Sequence, residues 1–258
     1  MRSEPSDVLA IVTNWRRPAN VSRIVERLHN QTVRPTIVVV DNSGRSTQAE
    51  PDLSHADDVW TFNENHGPPC RWAPALMDTQ HKYTLFVDDD LLPGVRAVEY
   101  CLQAAAELKD RFATLGAVGR IYGWQADGSK TLYRKRNVRR YQHEFRKVDL
   151  TCRIHFVLTE LVYAAVRFRH LLSREQVPHH VLCTHDDIIL CQSVQIEMDA
   201  PSYLFPKSYG TSCDTKWSLL SKNLPANRAE TVSAQPDHVS DRTALIKKCW
   251  DTEWESWV

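Results

Sequence analysis

The stretch Tyr83–Gly94 reads YTLFVDDDLLPG. A run of β-favouring, mostly apolar residues leads directly into three consecutive aspartates, Asp88, Asp89 and Asp90, and a Pro-Gly pair then breaks the chain. This order predicts a buried strand that ends at a charged site. Because adjacent carboxylates repel one another, the triplet indicates either a divalent cation that prefers oxygen ligands (Mg2+, Mn2+ or Ca2+) or a solvated acidic turn.

The composition is that of an ordinary globular protein. The chain has 258 residues, of which 42% are hydrophobic and 25% charged, enough for one large domain or a domain with an extension. Lysine plus arginine equals aspartate plus glutamate, at 32 each, so the net charge does not indicate a polyanionic partner. The seven cysteines are scattered without a Cys-x-x-Cys spacing, which argues against a zinc or redox motif.

The sequence contains no candidate membrane span. No uninterrupted apolar run approaches the ~20 residues that cross a bilayer, and residues 1–5 lack the apolar region of a signal peptide. We therefore expect a cytoplasmic protein with reduced thiols.

The chain before the triplet follows a strand, helix, strand order. Residues 8–12 and 36–40 are continuous apolar runs, typical of strands buried in a parallel sheet, and apolar residues at helical spacing lie between them over 21–28. Ligands of open α/β sheets bind outside the carboxyl ends of the strands. We therefore expect the polar residues that follow these strands to face one crevice: Asn14, Arg16, Arg17 and Asp41.

We expect one α/β domain over residues 1–210 and a C-terminal extension over 211–258 that packs on it. The sequence after residue 70 indicates the further elements of this domain. The patterns favour helices over 71–82 and 95–109, a strand over 115–119, hairpins or a mobile loop over 120–150, a helix that opens at Thr184 or His185, and a C-terminal helix over 244–258.

Four segments, in this order along the chain, carry a family resemblance. They are residues 12–18 (VTNWRRP), residues 39–43 (VVDNS), the spacing Asn65-x-Gly67-x-x-x-Arg71, and the aspartate triplet. Together they resemble the GT-A-fold nucleotide-sugar glycosyltransferases, especially the large family 2, with some likeness to exostosin-type enzymes. The resemblance implies a Rossmann-like α/β fold whose mostly parallel central sheet is flanked by helices.

The same resemblance implies a donor site for a nucleoside-diphosphate sugar with Mn2+ or Mg2+. The metal ligands it implies are Asp88, Asp90 and His238, with His185 and His66 as alternatives to His238. Asp89 is expected to point elsewhere, toward sugar hydroxyls or a lysine, because side chains alternate in an extended segment. The residues expected to bind the nucleotide sugar are Thr13, Asn14, Arg16, Arg17, Asp41, Asn65, Arg71, Asp88 and Asp89.

Asp186 and Asp187 resemble the family's Glu-Asp pair at the head of a helix, in which the second acid is the catalytic base. This implies Asp187 as the base, with Asp186 as the second candidate, and inverting chemistry in preference to retaining. The alternative is that both acids only complement the positive end of the helix dipole.

The segment Lys130–Lys147 contains eight lysines and arginines, interleaved with Tyr133, Tyr141 and Phe145, and a single acid, Glu144. Such a pattern suits a nucleic-acid backbone with stacked bases, and it also suits a solvated basic loop or a loop that closes over the diphosphate. The first alternative predicts a hydroxymethylated base in DNA as the hydroxyl acceptor. Otherwise we expect a saccharide or surface polymer.

Two other classes of protein compete with a glycosyltransferase. Sugar-nucleotide pyrophosphorylases and nucleotidyltransferases share the fold but usually carry a glycine-rich loop after the first strand, and residues 13–18 contain no glycine. A non-catalytic module that binds carbohydrate or nucleic acid is the other alternative.

Overall fold

The computed structural model describes residues 6–44, 50–124, 130–138, 144–209, 220–225 and 237–251. Within these ranges the strands are β1 (Val8–Asn14), β2 (Thr36–Asp41), β3 (Asp58–Thr61), β4 (Tyr83–Val87), β5 (Leu91–Pro93), β6 (Leu115–Gly116), β7 (Val118–Trp124), β8 (Lys130–Val138), β9 (Arg146–Val148), β10 (Leu150–Cys152), β11 (Ile154–Leu158), β12 (Ser202–Leu204) and β13 (Leu220–Asn223). The α-helices are α1 (Pro18–His29), α2 (Trp72–Met77), α3 (Ala97–Glu107), α4 (Val162–Arg174), α5 (His179–Thr184), α6 (Asp186–Met198) and α7 (His238–Asp251).

The main sheet confirms the predicted mixed α/β class with a mostly parallel centre. Its strand order is β3-β2-β1-β4-β11-β6-β12-β9. The first four strands are mutually parallel, β11 runs antiparallel to both neighbours, and β9 is antiparallel to β12. The carboxyl ends of β1, β2 and β4 therefore meet at one edge of the sheet. The aspartate triplet follows β4 at this edge.

The central strands form where the sequence is continuously apolar. Val8–Val12, Ile37–Val40 and all five residues of β4 are buried, as expected for parallel strands covered on both faces. Helix α1 begins with Pro18 at its first position and buries the apolar face predicted from its spacing: Val21, Ile24, Val25 and Leu28. Each such side chain contributes roughly 1.5–3 kcal/mol on burial.

Two predicted elements differ in extent. The helix expected over 71–82 is shorter, because a 3-10 turn (Pro68–Arg71) precedes α2 and the chain becomes extended at Asp78. The Asp78 carboxylate accepts the amides of Gln80 and His81, a local turn that competes with helix. The strand expected over 115–119 is divided between β6 and β7, which belong to different sheets.

The segment 120–150 contains the predicted hairpin. Strands β7 and β8 pair antiparallel, and β10 pairs with the other edge of β7. Three of the residues that led to the nucleic-acid interpretation, Arg139, Arg140 and Tyr141, lie outside the described residues.

The described part of the C-terminal region contacts the triplet directly. Strand β13 pairs antiparallel with β5, and the Leu224 amide donates to the Asp90 carbonyl over 2.7 Å. Helix α7 begins at His238 instead of Ala244, and its predicted end, with Trp254 and Trp257, lies beyond the described residues. The division at residue 210 stays a prediction. Among the described helices, none has the length and apolarity of a membrane span.

Candidate active site

A cavity of about 1450 Å³ opens at the carboxyl edge of the central strands. Its wall brings together eleven of the residues identified from sequence: Thr13, Arg17, Asn65, His66, Arg71, Asp88, Asp89, Asp90, Asp186, Asp187 and His238. Four others do not contribute to the wall: Asn14, Arg16, Asp41 and His185.

Asn14 and Asp41 are the last residues of β1 and β2 and bond to each other. They are register partners in β1 and β2, and the Asn14 amide donates to the Asp41 carboxylate over 3.0 Å. Asp41 also accepts the amide and hydroxyl of Ser43, and the Asn14 side-chain oxygen accepts the Arg17 amide. These bonds order both loops. The predicted contact of Asn14 and Asp41 with the nucleotide stays a prediction.

The three aspartates of the triplet differ in their exposure at the cavity. The side chains of Asp88 and Asp90 are 39% and 37% exposed at the cavity, whereas that of Asp89 is only 8% exposed. Asp89 pairs with the Arg17 guanidinium and accepts the Trp15 amide over 2.8 Å. Burial raises the pKa of Asp89 to about 6, although Arg17 opposes the shift. Asp88 and Asp90 are thus the pair available to a ligand.

The backbone of the triplet is held on two sides. The Asn20 side chain in α1 donates to the carbonyls of Asp89 (2.9 Å) and Pro225 (2.8 Å). The Asp90 carbonyl accepts the Leu224 amide, as noted above. The triplet is therefore fixed between an early helix and the C-terminal region.

Arg71 connects the triplet to the second acidic pair. Its side chain is 4% exposed, its Nη1 donates to Asp88 Oδ1 over 2.8 Å, and its Nη2 lies 2.6 Å from Asp186 Oδ2. The guanidinium also lies over the Phe86 ring, 5.4 Å from its centroid. Arg71 is therefore a buried charge whose two carboxylate partners come from different elements.

The loop before Arg71 has its shape because of Asn65 and Gly67. The Asn65 side-chain oxygen accepts the Gly67 amide and the Asn42 side-chain amide, each over 2.8 Å. Gly67 has a φ of +75°, and a Cβ there would lie well inside van der Waals contact of the Cys183 carbonyl oxygen in α5. The Asn65-x-Gly67 spacing thus has a physical reason: Asn65 bonds the Gly67 amide, and only glycine fits beside Cys183.

Asp186 and Asp187 open helix α6 but have different surroundings. Burial raises the pKa of Asp186 to about 6, with Asp187 and Asp88 adding to the shift and Arg71 opposing it. Asp187 accepts both terminal nitrogens of Arg242, over 3.0 and 2.7 Å, and the amide of Ile188. Burial alone would raise the pKa of Asp187, but Arg242 outweighs it and holds that pKa below its usual range.

Several residues of the cavity wall were not identified from sequence, among them Arg242, His155 and Trp15. Arg242 and His155 belong to no motif, and burial lowers the pKa of His155 to about 4, so the ring is neutral at pH 7. Trp15 lies in the first-strand loop already noted, and the Arg16 guanidinium stacks 4.6 Å from its ring centroid. The family resemblance of this loop was the sequence signal from which Trp15 could have been identified.

The acids at the cavity fit a hard divalent cation held by two protein carboxylates. Asp88 and Asp90 supply oxygen ligands on the cavity side, and a magnesium-type ion usually leaves further positions for substrate phosphates. Within the described ranges, no three histidine, cysteine or acidic side chains are gathered as a ligand set. The His238 ring instead packs against that of His185, with centroids 5.3 Å apart. Its role as a metal ligand stays a prediction.

Comparisons with known proteins bear on the fold. Neither a protein-family model nor a curated protein matches the sequence. Among solved structures, S. aureus TarS 1–349 is 16% identical over 78% of this chain and 61% of its own, with a TM-score of 0.46. TarS 1–349 in complex with UDP-GlcNAc is 16% identical over 77% of this chain and 58% of its own, with a TM-score of 0.45.

A third structure, GalNAc-T7 with UDP, GalNAc and Mn2+, is 10% identical over 77% of this chain, with a TM-score of 0.55. The chain covers 41% of the length of GalNAc-T7, and 61% and 58% of the two TarS chains. The likeness to GalNAc-T7 confirms the predicted GT-A fold.

Proposed function

We propose that this protein is a metal-dependent glycosyltransferase that moves a hexosyl or pentosyl group from a nucleoside-diphosphate sugar to a hydroxyl acceptor. The observation that carries the proposal is the arrangement around Arg71, which joins Asp88 of the triplet to Asp186 at the head of α6 within one cavity wall. Metal-dependent, inverting glycosyl transfer uses both parts: carboxylates that hold a cation for the diphosphate, and a carboxylate that receives the hydroxyl proton.

The donor end of the proposed site consists of Asp88, Asp90 and the β1 loop. When bound to Asp88 and Asp90, Mn2+ or Mg2+ would neutralise the charge that develops on the diphosphate leaving group. Arg17 is held at the wall by Asp89, in reach of anionic groups in the cavity. Thr13, Trp15 and Asn65 line the same wall and are the candidates for nucleotide contacts.

The acceptor hydroxyl attacks the anomeric carbon of the sugar in the proposed inverting reaction. The bond from that carbon to the diphosphate oxygen breaks, and the hydroxyl proton passes to a carboxylate. Asp187 remains the predicted base and has the more exposed side chain, 19% against 7% for Asp186. Asp186 has the proton affinity better matched to neutral pH, since its pKa is raised to about 6. Substituting Asp186 and Asp187 separately decides which of the two is the base.

For the acceptor we favour a hydroxymethylated base in DNA. The support is the basic sequence carried by β8, which pairs with β7 beside Val118 and Arg120 of the cavity wall. A saccharide or surface-polymer acceptor is the alternative, with the same donor chemistry.

The test uses purified protein with Mn2+ and a panel of nucleotide sugars, and it measures release of the nucleoside diphosphate. We expect release with at least one donor, loss of release with EDTA, and stimulation by oligonucleotides that contain hydroxymethylcytosine. Stimulation by glycans alone would favour the other acceptor class. Binding of a sugar ligand without release from any donor would indicate the non-catalytic module, and pyrophosphorolysis would indicate a nucleotidyltransferase.

The DNA part of the proposal has its own test. Neutralising Arg134, Lys135 and Arg136 should weaken oligonucleotide binding and flatten its salt dependence, by a slope of about one per lost phosphate contact. The matched control neutralises Lys109, Arg111 and Arg174, three exposed basic residues outside the cavity wall. Equal binding by both variants would contradict a DNA acceptor at this segment.

A further inference from the structure

Helix α7 brings a buried cation to the head of α6. Arg242 is 3% exposed, and its two terminal nitrogens donate to the two oxygens of Asp187. Bidentate pairing of this kind fixes the plane of a carboxylate as well as its charge. The Ile188 amide donates to the same carboxylate, so three donors define its orientation.

The pairing at Asp187 has a counterpart at Asp186. Asp186 is held by Arg71 from the 3-10 turn before α2, and Asp187 is held by Arg242 from α7. Two adjacent like charges repel, and each is compensated by an arginine from a different part of the chain. The orientation of the acid pair thus depends on two separate elements.

Docking of α7 does not depend on Arg242 alone. Leu245, Ile246 and Cys249 of the same helix are buried in the core, and Lys248 pairs with Glu175 at the surface over 2.9 Å. Burial of these three apolar side chains stabilises the docked helix independently of Arg242. The helix therefore has its own anchor, and the ion pair at Asp187 is available for another role.

We propose that Arg242 is a positioning residue, which fixes the Asp187 carboxylate in the cavity wall and thereby makes the C-terminal helix part of the active site. This inference rests on the proposed function and assigns a residue that no motif identifies. Without Arg242, the Asp187 carboxylate would rotate away from Asp186 or take up a proton, and the acid pair would lose its arrangement. Binding of the donor at Asp88 and Asp90 would be affected much less.

The experiment compares three variants in the donor-turnover assay. Arg242→Ala should lower kcat by about 100-fold, the size of effect that misplacement of a reacting group produces, and leave the KM for the nucleotide sugar within a few-fold of wild type. Added guanidinium chloride at millimolar concentration should restore part of the activity of this variant. Arg242→Lys should retain an intermediate rate, because lysine supplies the charge without the bidentate geometry.

The matched control is Lys248→Ala, which removes the surface ion pair from the same helix and should retain the wild-type kcat. Thermal denaturation of all variants reports whether α7 has come loose. Three results would overturn the inference: near wild-type kcat in Arg242→Ala, absence of rescue by guanidinium, or an equal loss in Lys248→Ala. Wild-type protein that turns over no donor would instead reject the proposed function, and this inference with it.

Discussion

Arg71 Nη2 and Asp186 Oδ2 lie 2.6 Å apart in the cavity wall, and the same guanidinium donates to Asp88. One buried cation therefore compensates a carboxylate from each of the two acidic segments. The triplet and the acid pair form a single electrostatic unit, although about a hundred residues of sequence separate them.

Replacing Arg71 should have a large effect on stability. Arg71→Met leaves Asp88 and Asp186 without their shared cation, and we expect the free energy of unfolding to fall by about 3–5 kcal/mol. Urea denaturation at pH 7 measures this change in the free energy of unfolding. The control is Arg96→Ala, which removes a solvent-exposed ion pair with Glu99 and should therefore cost far less stability than Arg71→Met. Similar losses in both variants would contradict the assigned role of Arg71.

Substitutions within the triplet should separate into two classes. Asp88→Asn and Asp90→Asn remove the carboxylates on the cavity side, and we expect each to lower metal-dependent turnover by at least about 100-fold. In Asp88→Asn the buried Arg71 keeps Asp186 as a partner, so the loss of stability should be smaller than in Arg71→Met. Asp89→Asn removes the hydrogen-bonded carboxylate partner of Arg17 and should lower stability as well as turnover, because the mostly buried guanidinium then keeps only its longer contact to Asp90, at 3.9 Å.

The control for this series is Asp52→Asn at the protein surface. Unchanged turnover in Asp88→Asn and Asp90→Asn would contradict the metal assignment. An Asp89→Asn variant as stable as wild type would contradict the structural role given to its pair with Arg17.

The raised pKa of Asp186 makes a prediction about stability and pH. Unfolded, this carboxyl loses its proton near pH 4, whereas the folded protein holds the proton until about pH 6. Between these values the folded state binds more protons, so the free energy of unfolding falls as the pH rises from about 4 to about 6. Asp186→Asn should flatten this slope by an amount on the order of 1–3 kcal/mol.

Chemical denaturation at pH 4.5 and 6.5 checks the prediction. Asp89 contributes with the same sign, since its pKa is also raised to about 6, so Asp89→Asn should flatten the slope as well. Asp187 has a lowered pKa, so its contribution to the free energy of unfolding is lost only in more acidic solution. A slope that persists in the Asp186→Asn, Asp89→Asn double variant would show that other groups control it.

Gly67 and Gly44 provide a matched pair for the loop before Arg71. Both have positive φ, +75° and +69°, so alanine at either position costs about 1–2 kcal/mol of backbone strain. At Gly67 the new Cβ also collides with the Cys183 backbone, whereas at Gly44 the nearest atom is 3.4 Å away. We expect Gly67→Ala to be less stable than Gly44→Ala by a further 1–3 kcal/mol or so. Equal melting temperatures would contradict the close approach.

The parts of the fold with local signals could be predicted from sequence. Continuous apolar runs identified β1, β2 and β4, and helical spacing identified α1 and α3. The direction of β11 could not be predicted, because a short apolar run looks the same in a parallel and an antiparallel strand. Its place between β4 and β6 depends on contacts distant in sequence.

The residues of the site likewise divide into those with a local sequence signal and those without one. The triplet, Asn65, Gly67, Arg71 and the acid pair have local spacings, and all line the cavity. Arg242 has no such spacing, since its partner Asp187 is 55 residues away in the chain. Asn14 and Asp41 were expected in the crevice but do not line the cavity wall: as register partners they bond to each other through Asp41 Oδ1, and their contact with the nucleotide stays a prediction.

The bonds from Asn20 and Leu224 to the backbone of the triplet have a consequence for ligand binding. Because the carbonyls of Asp89 and Asp90 are already satisfied, the main chain there has little freedom left to lose. A cation that approaches Asp88 and Asp90 would need only side-chain rotation. We expect the loop to be preorganised, so that the conformational entropy lost on binding is small and the affinity reflects mainly the ligand's own contacts.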